Sequence, residues 1–350
     1  MRRGVLALTL SSLLVTLCPS GAVASGGTTG VITDLLAAPR MVRDTDFPDP
    51  GFSKLGKSFY LFKTGRGFKN TTSANPKGPY GELKTSMLPE HEPPWAGDSG
   101  ASPRWRAWAP NVFAVKIRGN WRYVMYFTAW HTTKKTNCVG VAMSASPRVG
   151  YKFVPGSTIC SPWAGAPYHY EAIDPTHYRA VDGTRYLIYK TSDHNRKHWQ
   201  IRAVRMNKYG TLPVSPKADR AKTTRTEITA PMESPSILRH NRKVWMFTSR
   251  SWWNNGCEYH TDVWQADNFW DGKFRFVKNL LTTETTGGLC GPGGAQVIQS
   301  GRRTFIAFHA WKDIAHTDNA RRAYVGELGW DDSGAPYLLG IQLLPPLGLP

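Results

Sequence analysis

Short runs of alternating apolar and polar residues, rich in aromatic side chains, recur along the chain, each after a short extended segment and a polar turn. Five stretches share this plan: residues 47–64, 112–129, 174–192, 233–249 and 296–311. An aromatic residue stands near the same place in each, and these are Tyr60, Tyr126, Tyr189, Phe247 and Phe308, separated by 66, 63, 58 and 61 residues. A nearly constant long period of short strands indicates radial repetition. Five units predict an all-β fold, a five-bladed β-propeller.

The turns within the repeats support β-hairpins. Arg118-Gly119-Asn120 and Ser300-Gly301-Arg302 are typical, since Gly and Asn tolerate positive φ. No stretch has sustained helical periodicity, so we predict a single propeller domain over residues 25–350. A propeller must close its ring, and one common solution completes the final blade with a strand from the other end of the chain. Residues 30–36 and residues 337–344 are both candidates, and the sequence does not choose between them.

The first residues have the pattern of an export signal over residues 1–24. Arg2 and Arg3 precede an apolar run, and Ala22-Val23-Ala24 supplies the small residues of a cleavage site. No later stretch approaches the ~20 apolar residues of a membrane span. We therefore expect a secreted, extracellular protein with no membrane-spanning segment.

Four cysteines follow the predicted signal, and an even number in an exported chain favours two disulfides. Three pairings are formally possible. We expect the local pairs Cys138–Cys160 and Cys257–Cys290, because each falls within one repeat, where adjacent strands bring Cα atoms to the ~5.5 Å of a disulfide.

The chain is strongly basic, with a formal net charge of +19. Its basic doublets, such as Lys134-Lys135 and Arg302-Arg303, are scattered, and no nucleic-acid-binding module accompanies them. These features argue against nucleic acid as a partner. A solvated surface is the simplest explanation, and an acidic polysaccharide or anionic cell-wall polymer is the alternative. We expect a monomer.

Three acidic residues stand where repeats begin, namely Asp49, Asp174 and Glu233. The inner strand of each propeller blade lies beside the central axis, so acids at equivalent strand starts converge on one pocket. Capping of a turn is the alternative role of a single Asp before Pro.

The strand starts resemble the successive motifs of glycoside hydrolase family 43. They are Phe47-Pro48-Asp49-Pro50-Gly51, Trp108-Ala109-Pro110-Asn111-Val112, Ala172-Ile173-Asp174-Pro175, Glu233-Ser234-Pro235 and Cys290-Gly291-Pro292-Gly293-Gly294. This resemblance implies a five-bladed propeller that hydrolyses α-L-arabinofuranosides, β-D-xylosides or arabinans of plant or cell-wall polysaccharide with inversion, without a required cofactor. By position, Asp49 matches the general base, Asp174 the acid that tunes pKa and orients, and Glu233 the general acid.

The chain departs from the family pattern at three positions. Asn111 stands where an acid is frequent, Ser234 where Gly is usual, and Gly294 where His often follows Gly-Pro-Gly.

Inversion requires two carboxyl groups ~6.5 to 9.5 Å apart, one to activate water and one, protonated, to protonate the leaving oxygen. Residues on different blades around one axis meet this spacing readily. We expect Asp174 to be the negative group that keeps Glu233 protonated.

Aromatic stacking and a few hydrogen bonds should hold the sugar. We expect Trp108, Asn111 and Trp252 to contact the sugar. The other tryptophans that could stack on it are Trp130, Trp163, Trp253 and Trp311. Arg321 resembles the family arginine that contacts a sugar hydroxyl and the acids. His309 could bind a central structural calcium through water, and a packed, hydrogen-bonded histidine is the alternative.

Two other functions stay open. A retaining fructan- or sucrose-active propeller usually carries Asn-Asp-Pro-Asn and Arg-Asp-Pro, whereas this chain has Phe-Pro-Asp-Pro and Ala-Ile-Asp-Pro. A non-catalytic glycan-binding propeller is disfavoured by the three acids, although Asn111 and Gly294 leave it open.

Overall fold

The computed structural model describes residues 38–83, 86–89, 93–97, 107–160, 171–192, 199–215, 219–221, 231–312, 318 and 320–340. The predicted export signal and Trp163 lie outside these ranges. The secondary structure of the described residues consists of β-strands, and no helix among them could cross a membrane. The strands are β1 (Arg40–Arg43), β2 (Gly51–Leu55), β3 (Ser58–Lys63), β4 (Lys69–Ser73), β5 (Ala107–Ile117), β6 (Asn120–His131), β7 (Thr136–Ser144), β8 (Lys152–Phe153), β9 (Ile159–Cys160), β10 (Ile173–Arg179), β11 (Arg185–Ser192), β12 (Trp199–Met206), β13 (Asp219–Ala221), β14 (Met232–His240), β15 (Lys243–Arg250), β16 (His260–Ala266), β17 (Arg275–Leu281), β18 (Cys290–Ser300), β19 (Arg303–Trp311), β20 (Arg321–Trp330) and β21 (Pro336–Leu338).

These strands form five antiparallel sheets, each of which is one blade. Blade one contains β2–β4, blade two β5–β9, blade three β10–β13, blade four β14–β17, and blade five β18–β21 with β1. The first strand of each hairpin, β2, β5, β10, β14 or β18, contacts its counterparts in the two neighbouring blades, so the five inner strands form a closed ring. The predicted five-bladed propeller is confirmed.

The N-terminal strand β1 closes the ring. It pairs antiparallel with β20, with Arg40 opposite Val325 and Met41 opposite Tyr324. Backbone hydrogen bonds thereby join residues 40–43 to the last blade. Of the two predicted closing segments, residues 30–36 and 341–344 lie outside the described ranges. The described part of the C-terminal segment, around β21, pairs only with its own neighbour β20.

The core lies between adjacent blades. Each sheet is covered on both faces, so its second strand is buried along nearly its whole length, as β15 is. Alternate residues of a strand point to opposite faces, and on β15 Met246 packs toward blade three, whereas Trp245 and Phe247 pack toward blade five. The aromatic-rich runs in the sequence are therefore strands that serve two interfaces.

The strand ladders correct the register of the sequence repeat. The equivalent residues of the second strands, each opposite the same inner-strand position, are Phe62, Tyr126, Ile188, Phe247 and Ala307. Tyr60 lies two residues, and Tyr189 and Phe308 one residue, from these places. A shift of one residue turns a side chain to the other face of the sheet, so the sequence period predicted the blade number but not the register.

Both predicted disulfides are present. Cys138 on β7 lies opposite Cys160 on β9, with Cα atoms 4.5 Å apart. Cys257 and Cys290 have Cα atoms 4.6 Å apart. The expectation that each bond stays within one blade holds for the first pair only. Cys257 follows β15 of blade four, whereas Cys290 begins β18, the inner strand of blade five.

Replacing Cys257 and Cys290 together with serine is expected to lower the free energy of unfolding by about 3 to 4 kcal/mol, because the bond closes a long chain segment. Equilibrium denaturation of the double variant and the wild type measures this. The Cys138→Ser/Cys160→Ser variant serves as the comparison, with a slightly smaller loss because its segment is shorter, 22 against 33 residues. Unchanged stability of the Cys257/Cys290 variant would contradict the role assigned to this bond.

Candidate active site

One residue at the start of each blade adopts the left-handed backbone conformation. These residues, with φ between 47° and 62°, are Asp49, Ala109, Asp174, Ser234 and Gly294. Such angles are uncommon for residues other than glycine and cluster at functional sites. Asp49 and Asp174 are therefore structural equivalents. Glu233 precedes Ser234 and lies one residue out of register, so the expectation that all three acids occupy equivalent positions is wrong for Glu233.

Aligning the left-handed residues of the five blades also shows where Asn111 lies. The counterpart of Asp49 in blade two is Ala109, so Asn111 does not occupy the acid position. Asn111 is buried farther along the axis, where its Nδ2 donates to Gln296 Oε1 at 3.0 Å and its Oδ1 accepts the His177 N–H at 3.1 Å. The predicted sugar contact of Asn111 has no support from this geometry, because both ends of its amide bind protein groups across the channel.

A ring of hydrogen bonds fixes the left-handed residues. In four blades, the backbone N–H of this residue donates to a side chain on the second strand of the preceding blade or, for Thr64, directly after that strand. The pairs are Ala109 to Thr64 at 2.8 Å, Asp174 to Thr128 at 3.1 Å, Gly294 to Ser249 at 2.8 Å, and Asp49 to His309 Nδ1 at 3.0 Å. These bonds couple the blades to one another at the level of the acids.

Lys190 occupies the corresponding place in blade three. It lies opposite Ile173, as Thr128 lies opposite Trp108 and Ser249 opposite Glu233. An ammonium group cannot accept a hydrogen bond. The Ser234 N–H instead donates to Asp174 Oδ2 at 3.0 Å, and the Ser234 hydroxyl donates to the same oxygen at 3.1 Å.

The three acids line one cavity at the start of the inner strands. Its volume is about 210 Å³, and the described residues that line it are Asp49, Thr64, Trp108, Ile173, Asp174, Glu233, Trp253 and Arg321. The structure thus brings together the three acids, Trp108 and Arg321, all of which the sequence nominated. Trp252, which the sequence also nominated, lies outside this lining and packs edge-on against Trp199. Its neighbour Trp253 takes the place in the cavity wall.

Asp49 is partly exposed and is held from one side. Thr64 donates its hydroxyl to Asp49 Oδ2 at 3.1 Å, while Arg321 Nη1 lies 3.6 Å from Oδ1. The side chain remains 23% exposed. The carboxylate is therefore oriented by its neighbours and still open to a water molecule from the cavity.

Asp174 and Glu233 form a buried pair. Burial raises the pKa of Asp174 well above its ordinary value, and the charges of Glu233 and Asp49 add to this. Burial also raises the pKa of Glu233, although Lys190 and a hydrogen bond from Tyr259 oppose the rise. The Tyr259 hydroxyl donates to Glu233 Oε1 at 2.9 Å. Because the interaction between the two carboxyls is mutual, they titrate as a pair.

Lys190 and Glu171 were not identified from the sequence. Lys190 Nζ lies 2.5 Å from Glu171 Oε1, and both side chains are buried. The charges of Glu171, Glu233 and Asp174 raise the pKa of Lys190 despite its burial. A signal was present, because Lys190 interrupts the apolar run Tyr186-Leu187-Ile188-Tyr189, and a buried lysine requires a charged partner.

The two residues of the Arg321-Arg322 doublet have different roles. Arg321 lies over the Trp253 ring, 4.3 Å from its centroid, and faces Asp49. Arg322 turns away and forms ion pairs with Asp44, at 3.1 Å, and with Asp318. Alternate residues of β20 point to opposite faces, which is why one arginine belongs to the cavity and the other to the scaffold.

His309 is a packed, hydrogen-bonded histidine. Its Nδ1 accepts the Asp49 N–H, its ring stacks on Tyr259 with centroids 5.6 Å apart, and burial, followed by the charge of Arg321, lowers its pKa well below the ordinary value. Nε2 is buried without a protein partner among the described residues. Those residues contain no group of three His, Cys, Asp or Glu side chains suited to a metal, so the calcium hypothesis has no support from them.

The sequence profile of glycosyl hydrolases family 43 matches residues 39–336. The chain belongs to glycoside hydrolase family 43. It is therefore a glycoside hydrolase of an inverting family. No curated protein sequence matches the chain.

Solved structures share the fold of this chain. A thermostable family-43 glycoside hydrolase has a TM-score of 0.66 at 20% identity, over 86% of this chain and 95% of the other. An exo-1,5-α-L-arabinanase from a bovine ruminal metagenomic library has a TM-score of 0.61 at 18% identity, covering 85% and 98%. An endo-1,4-β-xylanase from Bacteroides thetaiotaomicron has 0.65 at 18%, covering 85% and 95%.

Proposed function

We propose that this family 43 hydrolase cleaves pentose-containing polysaccharide outside the cytoplasm, with Asp49 as general base, Glu233 as general acid and Asp174 as the residue that tunes and orients Glu233. The observation that carries the proposal is the convergence of these three carboxyl groups on one cavity with Arg321 and Trp253. An inverting hydrolase needs one carboxylate for water and one protonated carboxyl for the leaving oxygen.

Asp49 suits the role of base. Thr64 and Arg321 hold its two oxygens from the protein side, so the carboxylate can accept a proton from a water placed against the sugar. That water attacks the anomeric carbon from the face opposite the leaving group, which inverts the configuration.

Glu233 suits the role of acid because burial raises its pKa. Asp174 accepts two hydrogen bonds from Ser234, whereas Glu233 accepts one from Tyr259. Hydrogen bonds to a carboxylate favour its charged form. In the proposed mechanism the Ser234 bonds favour the charged form of Asp174, and Glu233 is the carboxyl that gives its proton to the glycosidic oxygen.

Two observations bear on the substrate, one on the type of sugar and one on the number of sugar rings that fit. The similar structures include an arabinanase and a xylanase, and the cavity of about 210 Å³ is smaller than the ~300 to 1,000 Å³ typical of pockets for drug-sized ligands, which favours a single sugar ring. Trp108 and Trp253 form the aromatic part of the cavity wall, and the Trp253 ring is held in place by Arg321 over its face and by stacking with Trp311. The two disulfides are typical of an oxidising compartment and support export by the predicted signal over residues 1–24.

Hydrolysis of para-nitrophenyl pentosides, arabinan and xylan tests the proposal, with proton NMR of the first-formed anomer of any product. We expect release of arabinose or xylose units with inverted configuration. A product of retained configuration would overturn the roles of Asp49 and Glu233. Binding of these glycans without any hydrolysis would favour the non-catalytic alternative.

The charge of Lys190 is expected to set the alkaline limb of the pH profile. Glu233 acts in its protonated form, so activity falls as the pH rises through its pKa. Lys190 lowers that pKa. In Lys190→Met the alkaline limb should therefore move to higher pH, by about one pH unit or more. Profiles of kcat/KM against pH measure the shift.

Glu171→Gln provides the opposite change. The negative charge of Glu171 raises the pKa of Glu233, so its removal should move the limb to lower pH. Structural damage alone would not shift the two variants in opposite directions. Lys243→Met, which alters an exposed ion pair with Asp267, should leave the limb in place. Shifts of the same sign in Lys190→Met and Glu171→Gln would contradict this electrostatic account.

A further inference from the structure

The turns of the five inner hairpins lie at the end of the axis opposite the acids. Each inner strand begins at the acid cavity and runs away from it, so the turn that follows emerges on the other side of the ring. The six residue steps from Glu233 to Arg239 along β14 correspond to about 20 Å at ~3.3 Å per residue. We call this surface the turn face and define it as residues 54–58, 116–122, 179–185, 239–243 and 299–303.

The turn face is strongly basic. It contains twelve Lys or Arg and one acidic residue, Asp182, whereas the whole chain has 44 basic and 25 acidic residues. The twelve are Lys54, Lys57, Lys116, Arg118, Arg122, Arg179, Arg185, Arg239, Arg242, Lys243, Arg302 and Arg303. Arg303 pairs with Glu327 and Lys243 with Asp267, acids from neighbouring strands and turns. Basic residues that look scattered in the sequence are thus gathered by the fold on one surface.

A cavity of about 460 Å³ occupies the axis at this end, lined by residues of all five inner strands, including Lys54 and Arg179. Beside it, the His177 ring stacks on Phe113 with centroids 3.6 Å apart, and Arg185 Nη1 lies 2.9 Å from His177 Nε2. Burial and the charges of Arg185 and Arg179 lower the pKa of His177 well below its ordinary value. The histidine is neutral, and the local positive charge is that of the arginines.

The turn face also presents an exposed aromatic ring. Trp121 is 58% exposed, more than any other aromatic side chain among the described residues, and it stands between Arg118 and Arg122 in the chain. Arg122 Nη1 donates to the Trp121 carbonyl at 2.9 Å. A large exposed indole among cations indicates a binding surface, because it offers a flat apolar face for a sugar ring and charged donors for acidic groups around it.

We propose that the turn face is a second carbohydrate-binding surface, which holds an acidic polysaccharide whose sugars carry carboxylates. The planar guanidinium groups match carboxylates in pairs of hydrogen bonds, and Trp121 stacks on a sugar ring. The charges form a ring around the axis, which fits a polymer with repeated charges better than a single anion. The surface lies on the far side from the acids, so a bound polymer leaves the catalytic cavity open.

The test measures binding of polygalacturonate by isothermal titration calorimetry, which does not depend on hydrolysis. The variant Lys116→Gln/Arg242→Asn/Arg302→Gln removes three charges from three blades of the turn face. Its control, Lys69→Gln/Lys134→Gln/Lys135→Asn, removes three exposed charges elsewhere. Asparagine replaces Arg242 and Lys135 because both have positive φ and Asn tolerates that conformation.

We expect the wild type to bind polygalacturonate more weakly as salt rises, the turn-face variant to bind about tenfold more weakly than the wild type at low salt, and the control to change less than twofold. Trp121→Ala should also weaken binding, and fully methyl-esterified polygalacturonate should bind poorly. Equal losses in the two triple variants would overturn the proposal, since net charge alone would then explain binding. Tighter binding of duplex DNA or of a polyphosphate than of polygalacturonate would overturn the assigned ligand.

Discussion

Replacing Glu233 with glutamine is expected to lower hydrolysis of natural polysaccharide by about 10²- to 10⁴-fold, the usual contribution of general acid catalysis. The amide has the shape of the carboxyl but cannot give a proton to the glycosidic oxygen. Substrates with a para-nitrophenyl leaving group need no such proton and should keep much of their activity. Kinetics of the variant on both substrate types measure the difference.

The Glu233 prediction has a matched control in Glu284→Gln, the same change at an exposed position outside the cavity, which should leave both activities unchanged. An equal loss on polymer and on para-nitrophenyl pentoside would remove the role of Glu233 as proton donor. Such a result would point instead to a general disturbance of the buried pair with Asp174, whose carboxyl shares the site.

Replacing Asp49 with asparagine is expected to lower activity on both substrate types, again by about 10²- to 10⁴-fold. A good leaving group does not help here, because the attacking water still needs a base. Among the described residues of the cavity, the other two carboxyls have different roles in the proposed mechanism, since Asp174 accepts the hydrogen bonds of Ser234 and Glu233 carries the proton.

Azide separates loss of the base from loss of the fold. It is a nucleophile that needs no deprotonation, so it should restore turnover of para-nitrophenyl pentoside by Asp49→Asn and give a glycosyl azide of inverted configuration. Asp332→Asn, at an exposed turn position, should behave as the wild type. Substantial hydrolysis by Asp49→Asn without azide would exclude Asp49 as the base.

The repeat in the sequence predicted the five-bladed architecture because every blade of the fold needs the same kinds of residues. Every blade must bury both faces of its strands and turn tightly at the axis, so each of the five copies carries an apolar run and a Gly- or Asn-containing turn. The family motifs likewise nominated Asp49, Asp174, Glu233, Trp108 and Arg321 before any geometry was available, and all five line the cavity.

The sequence repeat did not predict the register of the strands, and several features of the site depend on that register. The register shift between Trp108 and Asn111 recurs at the equivalent place of β10, β14 and β18, so Ala109 is the counterpart of Asp49 and Asn111 lies two residues farther along the inner strand. Spacing along the chain cannot reveal a bulge, because a bulge adds one residue to one strand without changing the apolar pattern of its partner. The same uncertainty hid the exchange of Trp252 for Trp253 in the cavity wall.

The sequence by itself determined the five blades, the two disulfide partners and the identity of the acids, since local patterns and family motifs specify these directly. Only the tertiary structure decided which groups surround those acids. Lys190 reaches the Asp174–Glu233 pair from β11 and Tyr259 from the residue before β16, while Ser234 of β14 binds Asp174 of β10. The basic turns gather on one face because the five inner strands all run in the same direction along the axis. Contacts of this kind join residues far apart in the chain, so their energies depend on closure of the ring and not on any local stretch of sequence.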